Sequence, residues 1–346
     1  MATARNLPYD SESVHTRFES GVSWASTAVS DKTIQAIEGR SPSRLAWERL
    51  KRDKTAWVSF GIVALFILMA IASPIFQWIM KTGPDTFHPD ALDEMRGALP
   101  LGKFGGVSGH HWFGVEPRTG RDIFLRFVFG ARTSLLIALA ATVVATVIGV
   151  LIGLISGFFG GKVDQFFSRI LEIVMAFPSI LFALAITPVL EGILESSGVP
   201  KGNASRIPVM IIVMATFGWP YIARIVRGQV ISLREREFVE AARALGATRM
   251  HLVFKQILPN LWAPILVTVA LNIPSFITTE AALTFLGAGV IEPASDWGAM
   301  LLQSVPFYSV DPLYTFIPGI GLFLLVLGFN LFGDSVRDAL DPKSAR

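Results

Sequence analysis

Long apolar stretches alternate with shorter polar ones along most of the chain. Six of these stretches have the roughly 20 residues that an α-helix needs to cross the hydrocarbon core of a bilayer. Because backbone groups in a bilayer must be paired within the protein, the pattern predicts an all-α integral membrane protein with six transmembrane helices. The predicted spans are Trp57–Met80, Thr133–Gly157, Ile170–Leu190, Ile207–Val226, Trp262–Leu286 and Tyr314–Phe332.

The composition agrees with this fold class. Hydrophobic residues make up 52% of the 346 residues, and the mean hydropathy is +0.53. The net charge of +3 and the pI near 9.3 do not indicate nucleic-acid binding, because a membrane protein needs Lys and Arg in its cytoplasmic loops. The absence of cysteine excludes disulfides, thiol catalysis and cysteine-ligated metals.

The distribution of basic residues predicts the orientation. A cluster precedes the first span, whereas residues 287–313 contain neither Lys nor Arg. Because basic residues concentrate in cytoplasmic loops, the N-terminus should be cytoplasmic, and six crossings return the C-terminus to the same side. The cluster consists of Arg44, Arg49, Lys51, Arg52 and Lys54.

These patterns divide the chain into five regions. The polar N-terminal residues lack apolar periodicity and predict disorder, while the basic helix that follows should rest on anionic lipid headgroups. The regions are a disordered cytosolic tail at 1–40, an interfacial helix and the first transmembrane helix at 41–80, an extracellular loop at 81–132, a five-helix core at 133–335 that includes a cytoplasmic loop at 232–261, and a cytosolic tail at 336–346.

The charged stretch between the fourth and fifth spans predicts two short helices at the membrane surface. Ser232 and Glu235 have capping-box spacing, so a helix should begin after the serine. Gly246 stands where a left-handed residue would end that helix. A second helix should begin after Thr248 and stop near Pro259, which lacks an amide proton.

Small and polar residues inside the spans are further candidates for function. Gly149, Gly153 and Gly157 form two overlapping G-x-x-x-G steps, the spacing at which helix backbones approach closely in membranes. Glu280 and Asn272 lie within the fifth span, where polar groups are costly. Each is interpreted either as part of a solute path or as an interhelical hydrogen-bonding group.

Two patterns that could indicate catalysis or ligand binding fail on inspection. Gly161-Lys162 is not a phosphate loop, because Ser156 replaces the first glycine and Val163 replaces the magnesium-binding Ser or Thr. This chain should therefore bind no ATP. His110 and His111 lack nearby ligand partners, so no metal site is predicted. We expect a non-catalytic protein without a cofactor of its own.

The charged loop carries a family resemblance. Glu240-Ala241-Ala242, Gly246 and then Pro259 resemble the EAA loop of ABC importer permeases. In that family the loop is a coupling helix that docks into a groove on a cytoplasmic ATPase. The resemblance therefore implies that these five residues couple this chain to an ATPase.

Further motifs resemble the dipeptide/oligopeptide/nickel branch of that family. They are the run Glu280-Ala281-Ala282-Leu283-Thr284-Phe285-Leu286-Gly287 and the pair of runs Gly120-Arg121-Asp122 and Gly130-Ala131-Arg132-Thr133-Ser134-Leu135. In the branch, two residues usually separate an F-G-T-D motif from the G-R-D motif. Here three residues separate the corresponding run, Phe113-Gly114-Val115-Glu116, from Gly120.

The resemblance implies a type I ABC importer permease fold in the plasma (inner) membrane of a prokaryote. Its implied partners are a second homologous permease subunit, two cytoplasmic ATPase subunits that hold ATP and Mg, an extracellular solute-binding protein and membrane lipid. The implied solutes are dipeptides or oligopeptides. The alternatives are nickel chelates or another small solute moved by the same machinery, and a non-transporting membrane scaffold or sensor.

Overall fold

The structure is a computed structural model that describes residues 42–102 and 104–341. Within these residues six helices are long and apolar enough to span a membrane, as the hydropathy pattern predicts. The predicted tail at 1–40 lies outside the described residues. The six helices are Lys54–Ile71, Ile123–Phe159, Ser179–Ser196, Asn203–Leu233, Arg249–Phe285 and Pro312–Leu340.

The described part of the chain is mostly helical, apart from the loop between Lys81 and Asp122. A two-stranded antiparallel sheet pairs Leu92 with Pro100 and Asp93 with Leu99. The strands are β1 (Leu92–Asp93) and β2 (Leu99–Pro100). The α-helices are α1 (Pro42–Arg52), α2 (Lys54–Ile71), α3 (Ser73–Met80), α4 (Ile123–Phe159), α5 (Gly161–Ala176), α6 (Ser179–Ser196), α7 (Asn203–Leu233), α8 (Glu237–Ala244), α9 (Arg249–His251), α10 (Trp262–Phe285), α11 (Trp297–Ser304) and α12 (Pro312–Leu340).

The core lies where α4 packs lengthwise along α7, with α10, α12 and α2 against them. Trp297 of α11 is fully buried at this centre. Its indole Nε1 donates to the Phe127 carbonyl oxygen at 2.9 Å, and its ring stacks on Phe127 with centroids 5.2 Å apart. The edge of Phe66 also meets the indole, at 5.6 Å between centroids. One tryptophan therefore joins α11, α4 and α2.

The third span is displaced from its predicted position. The prediction at 170–190 is wrong because α5 ends at Ala176 and α6 begins at Ser179. Pro178 has no amide proton and forces the residue before it out of helical conformation; Phe177 accordingly has φ −79° and ψ 136°. The span is Ser179–Ser196, and α5 is a separate helix with only Leu171 buried.

The second span begins earlier than predicted. Asp122 caps α4 by accepting a hydrogen bond from the Leu125 amide at 2.8 Å, so the helix starts at Ile123 rather than Thr133. Its 37 residues extend ~56 Å, well beyond a hydrocarbon core of ~30 Å. The last ten residues of the loop predicted at 81–132 are therefore helical. At the other end of the chain, α12 runs to Leu340, into the predicted tail.

Candidate functional site

The first short helix of the 232–261 loop ends in a Schellman motif. The Ala247 amide donates to the Ala242 carbonyl oxygen at 3.1 Å, and the Gly246 amide donates to that of Arg243 at 3.0 Å. Gly246 has φ +85°, the left-handed conformation that this motif requires. The prediction that Gly246 ends this helix is confirmed.

The predicted start of that helix is wrong. α7 continues through Ser232 to Leu233, and α8 begins only at Glu237, without a side-chain cap. The reason is tertiary: Val230 is fully buried, and a Cβ built on Gly157 would lie 2.8 Å from the Val230 Cβ. Packing of α7 against α4 carries the helix past the capping residues.

The second half of the loop stays helical through Pro259. Thr248 caps α9 as predicted, its hydroxyl accepting from the His251 amide at 3.3 Å. A π-helix (Leu252–Ile257) and a 3-10 helix (Leu258–Leu261) then lead directly into α10. The predicted stop is wrong because Pro259 lies in the first turn of the 3-10 helix, where no amide donor is needed.

The apolar residues of α8 and of its C-terminal cap, Leu245, divide between the interior and the surface. Val239 is fully buried, whereas Leu245 is 89% exposed and Phe238 is 40% exposed. Of the resemblance-based residues on this helix, Glu240 and Ala241 are exposed and Ala242 is half-buried. Val239 therefore anchors α8 to the protein, while an exposed strip remains without a partner in the described part of the chain.

The Glu240 carboxylate is one component of that exposed strip. Within residues 42–102 and 104–341, no hydrogen bond or ion pair involves this side chain. Gly246 and Pro259 are exposed as well. Glu240, Gly246 and Pro259 are therefore exposed positions of the same loop, whereas Ala242 packs partly against the core.

The three glycines of the second span lie against α7. A Cβ on Gly149 would lie 2.7 Å from the Ile222 Cβ, and one on Gly153 would lie 2.8 Å from the Val226 Cβ. Gly157 has the equivalent close contact, described above, one helical step further on. Any side chain at these positions would push α4 away from α7, so the glycines permit the close contact between these two helices.

A charged cluster joins this seam to α5. Arg227 of α7 donates through Nε to Asp164 Oδ1 at 2.5 Å and through Nη2 to Oδ2 at 2.6 Å. Ser156 of α4 donates to the same carboxylate at 2.5 Å. The hydrogen bonds from Arg227 hold the pKa of Asp164 below its usual value. Arg234, at the start of the loop, donates to the Gly157 carbonyl oxygen at 2.9 Å.

The two polar residues of the fifth span face different surroundings. Glu280 is fully buried; its Oε1 accepts from Thr284 at 3.3 Å, and its Oε2 has no hydrogen-bond partner among the described residues. Beside it lies Asp296, which accepts from Ser134 at 2.9 Å. Asn272 instead lines a cleft between α6, α7 and α10. The structure therefore separates the two residues that the sequence treated together.

A buried ionic network, missed at the sequence level, lies at the opposite end of the core from the 232–261 loop. Glu116 is 1% exposed and accepts from Arg121 Nε at 2.6 Å and from the Tyr314 hydroxyl at 3.0 Å. The fully buried Arg126 approaches the same carboxylate with its Nε at 2.6 Å. Arg121 also donates to Glu292 at 2.7 Å. Residues of the 116–126 segment and Tyr314 of α12 therefore meet at one buried carboxylate, and Arg121 links it to Glu292.

Comparison with known proteins identifies the family. A family model described as "Binding-protein-dependent transport system inner membrane component" matches residues 149–346, more than half of the chain. The chain belongs to this family. A second model, described as the N-terminal TM domain of oligopeptide transport permease C, matches residues 41–94. The resemblance inferred from the EAA loop is thereby confirmed, and the chain is a multi-pass inner-membrane permease.

Individual relatives agree with this family. The permease is 40% identical to the dipeptide transport system permease protein DppC of Alkalihalophilus pseudofirmus, over 88% of this chain and 90% of that protein. It is 40% identical to the oligopeptide transport system permease protein OppC of Bacillus subtilis, over 85% and 88% respectively. It is 38% identical to the glutathione transport system permease protein GsiD of Salmonella typhimurium, over 88% and 91%.

A solved structure agrees with the fold. The inward-facing MetNI methionine ABC transporter matches with a TM-score of 0.50 at 21% identity, covering 62% of this chain and 96% of that one. At this identity the likeness concerns the fold alone. Together with the family match, it assigns the permease to the type I ABC importer fold, as the motifs implied.

Proposed function

We propose that this permease moves short peptides across the inner membrane of a prokaryote, driven by ATP hydrolysis on partner subunits. Three relatives with 38–40% identity are named for dipeptide, oligopeptide and glutathione transport, and all three solutes are peptides. The proposed partners are two cytoplasmic ATPases that bind ATP and Mg, a second homologous permease, an extracellular solute-binding protein and membrane lipid. Both termini of the permease are then cytoplasmic.

The observation that carries this proposal is the exposed strip on α8. Leu245, directly after α8, offers an apolar side chain at 89% exposure, and the exposed Glu240 carboxylate on the same helix has no hydrogen bond or ion pair among the described residues. An isolated loop would gain nothing from such an arrangement, whereas an ATPase groove could bury the leucine and pair the charge. In this proposal Glu240, Ala241, Ala242, Gly246 and Pro259 form the ATPase-coupling surface.

Two connections can transmit a movement of α8 into the membrane. Buried Val239 holds α8 against the protein, and unbroken helix continues from α9 through the π-helix into α10. Arg234 links the start of the loop to the end of α4 through the Gly157 carbonyl oxygen. Docking of an ATPase at α8 would therefore displace α10 and α4 together, which is a route to opening and closing a solute path.

The test uses the complete importer in proteoliposomes, with solute-binding protein and dipeptide outside. Glu240→Ala should lower both dipeptide uptake and dipeptide-stimulated ATP hydrolysis about tenfold, because a charged contact at an interface is lost. Glu237→Ala is the matched control: this residue is exposed on the same helix but is not one of the proposed coupling residues. Equal activity of the two variants would contradict coupling through Glu240. If the importer takes up nickel chelates but no peptide, the solute is a nickel chelate and the proposal of peptide transport is wrong.

A further inference from the structure

The cleft lined by Asn272 contains polar but no charged side chains among the described residues. It occupies about 430 Å³ between α6, α7 and α10, within the roughly 300–1,000 Å³ of small-molecule sites. Among the described residues its lining includes no Asp, Glu, Lys, Arg or His. Its polar side chains are Ser179, Tyr221, Asn272, Ser275 and Thr279, and the remaining lining residues are apolar or glycine.

In the part of the chain that the structure describes, three hydroxyls that face the cleft have no hydrogen-bond partner, unlike two neighbouring hydroxyls outside it. Thr268 and Thr278 of α10 donate to the carbonyl oxygens of Pro264 and Pro274, at 2.8 and 2.9 Å. No hydrogen bond within the described residues involves the hydroxyls of Ser275, Thr279 or Tyr221. Polar groups in a membrane span are costly unless they meet water or a polar ligand, so an aqueous or ligand-filled cleft explains this difference.

The cleft side chains on α10 form a row. Asn272, Ser275 and Thr279 follow one another at i, i+3 and i+7, which places them on one face of the helix. The seven residue steps from Asn272 to Thr279 rise ~10 Å, the length of about three residues of extended peptide. Asn272 also donates to the Thr268 carbonyl oxygen at 2.7 Å, so its amide group is held in position while its Oδ1 makes no hydrogen bond in the described chain.

We propose that this row binds the backbone of an extended peptide in transit, through hydrogen bonds that do not depend on peptide side-chain charge. This inference rests on the proposed function. Hydroxyl groups donate and accept, so they can pair with amides, with the terminal ammonium and with the terminal carboxylate. A cleft without charged groups does not attract or repel one sign of peptide side chain more than the other. Discrimination among charged peptides must then come from other steps.

The first experiment introduces a charge into the cleft. Proteoliposomes with the complete importer are given Ala-Lys or Ala-Glu, and the ratio of the two uptake rates is compared with that of the unmodified importer. Ser275→Asp should raise the Ala-Lys to Ala-Glu ratio roughly three- to tenfold, the effect of a unit charge at about 6 Å in a watery passage. Ser275→Lys should lower it by a similar factor. An unchanged ratio in both variants would overturn the proposal.

The second experiment removes a hydroxyl without adding charge. Thr279→Val should lower the uptake of both dipeptides by the same factor, and Thr279→Ser should restore it. Thr278→Val is the matched control, since that residue is adjacent but bonded to its own helix, and it should leave uptake unchanged. If both valine variants behave alike at equal complex yield, the row does not contact peptide.

A third experiment tests whether the cleft is accessible to water and peptide or is covered by another chain. Because this chain has no cysteine, Ser275→Cys adds one thiol to it, which a small hydrophilic thiol reagent should modify and dipeptide should protect. No labelling would mean that another chain covers the cleft and would overturn the proposal. If the unmodified importer takes up no peptide at all, the proposed function fails and this inference fails with it. If it takes up peptides while these variants behave like the unmodified importer, only the inference fails.

Discussion

The α4–α7 seam allows a substitution to be worked out from distances. A Cβ on Gly153 would lie 2.8 Å from both the Ala223 carbonyl oxygen and the Val226 Cβ. Ordinary contacts lie at about 3.5–4 Å, so Gly153→Ala must push the helices apart by roughly 1 Å. Such overpacking costs about 1–3 kcal/mol, while alanine favours the helix over glycine by about 0.5–1 kcal/mol. The net expectation is a loss of up to about 2.5 kcal/mol in stability.

Gly228 of α7 provides the matched control. It is helical too, but a Cβ built on it has no neighbour within 4 Å. Gly228→Ala should therefore gain the helix propensity of alanine without any overpacking. The stabilities of the two variants should differ by about 1–3 kcal/mol, the cost of overpacking at Gly153. The assay heats the detergent-solubilised complex and measures the fraction that remains assembled. If Gly153→Ala is as heat-resistant as Gly228→Ala, the close packing of this seam does not stabilise the protein.

Two ionic clusters give further predictions. Glu116→Gln should destabilise the complex by about 3–5 kcal/mol in the same heating assay, because the fully buried Arg126 would lose the nearer of its two carboxylates and keep only Asp85 at 3.4 Å. Unchanged heat resistance would mean that the network is not needed for the fold. Asp164→Asn should cost about 1–3 kcal/mol by weakening the bidentate bond from Arg227. The folded protein lowers the pKa of Asp164 below its value in the unfolded chain, which is near 4. The stabilisation that the Asp164 carboxylate provides is therefore fully present above pH 4, and it is lost only as the pH falls through the pKa of the folded protein. The loss of stability in Asp164→Asn should therefore be equal at pH 6 and pH 8. A loss that differs between these two pH values would contradict an ionised Asp164 paired with Arg227.

Features that depend on local sequence were the ones that could be predicted. The number of spans follows from hydropathy, and all six were found. Gly246 was predictable because its left-handed conformation is set by the helix end, independent of distant contacts. The break at Pro178 is also local, but the apolar residues on both sides of it obscured the boundary between α5 and α6.

Features that depend on distant contacts could not be predicted. Ser232 has the pattern of a cap, yet burial of Val230 in the seam carries the helix past it. The Glu116 carboxylate meets Tyr314 across 198 positions of sequence, and no periodic pattern connects the two. The sequence offered the same two interpretations, a solute path or an interhelical hydrogen bond, for both polar residues of the fifth span. Only the structure distinguishes their surroundings, because Asn272 faces the cleft and Glu280 is buried beside Asp296.

Gly246 gives the most direct test of the claim that α8 couples ATP hydrolysis to uptake. A Cβ there would have no neighbour within 4 Å, so only the φ of +85° favours glycine. Asparagine tolerates this conformation, whereas a β-branched valine would pay about 1–3 kcal/mol and distort the end of α8.

The rates of dipeptide uptake and of ATP hydrolysis are both measured in proteoliposomes that hold equal amounts of complex. The account predicts that Gly246→Asn keeps most of the uptake and of the dipeptide-stimulated hydrolysis. It predicts that Gly246→Val loses both, although the variant inserts and assembles normally. If Gly246→Val takes up dipeptide at the unmodified rate with its stimulation intact, α8 is an ordinary loop helix and the coupling mechanism is wrong.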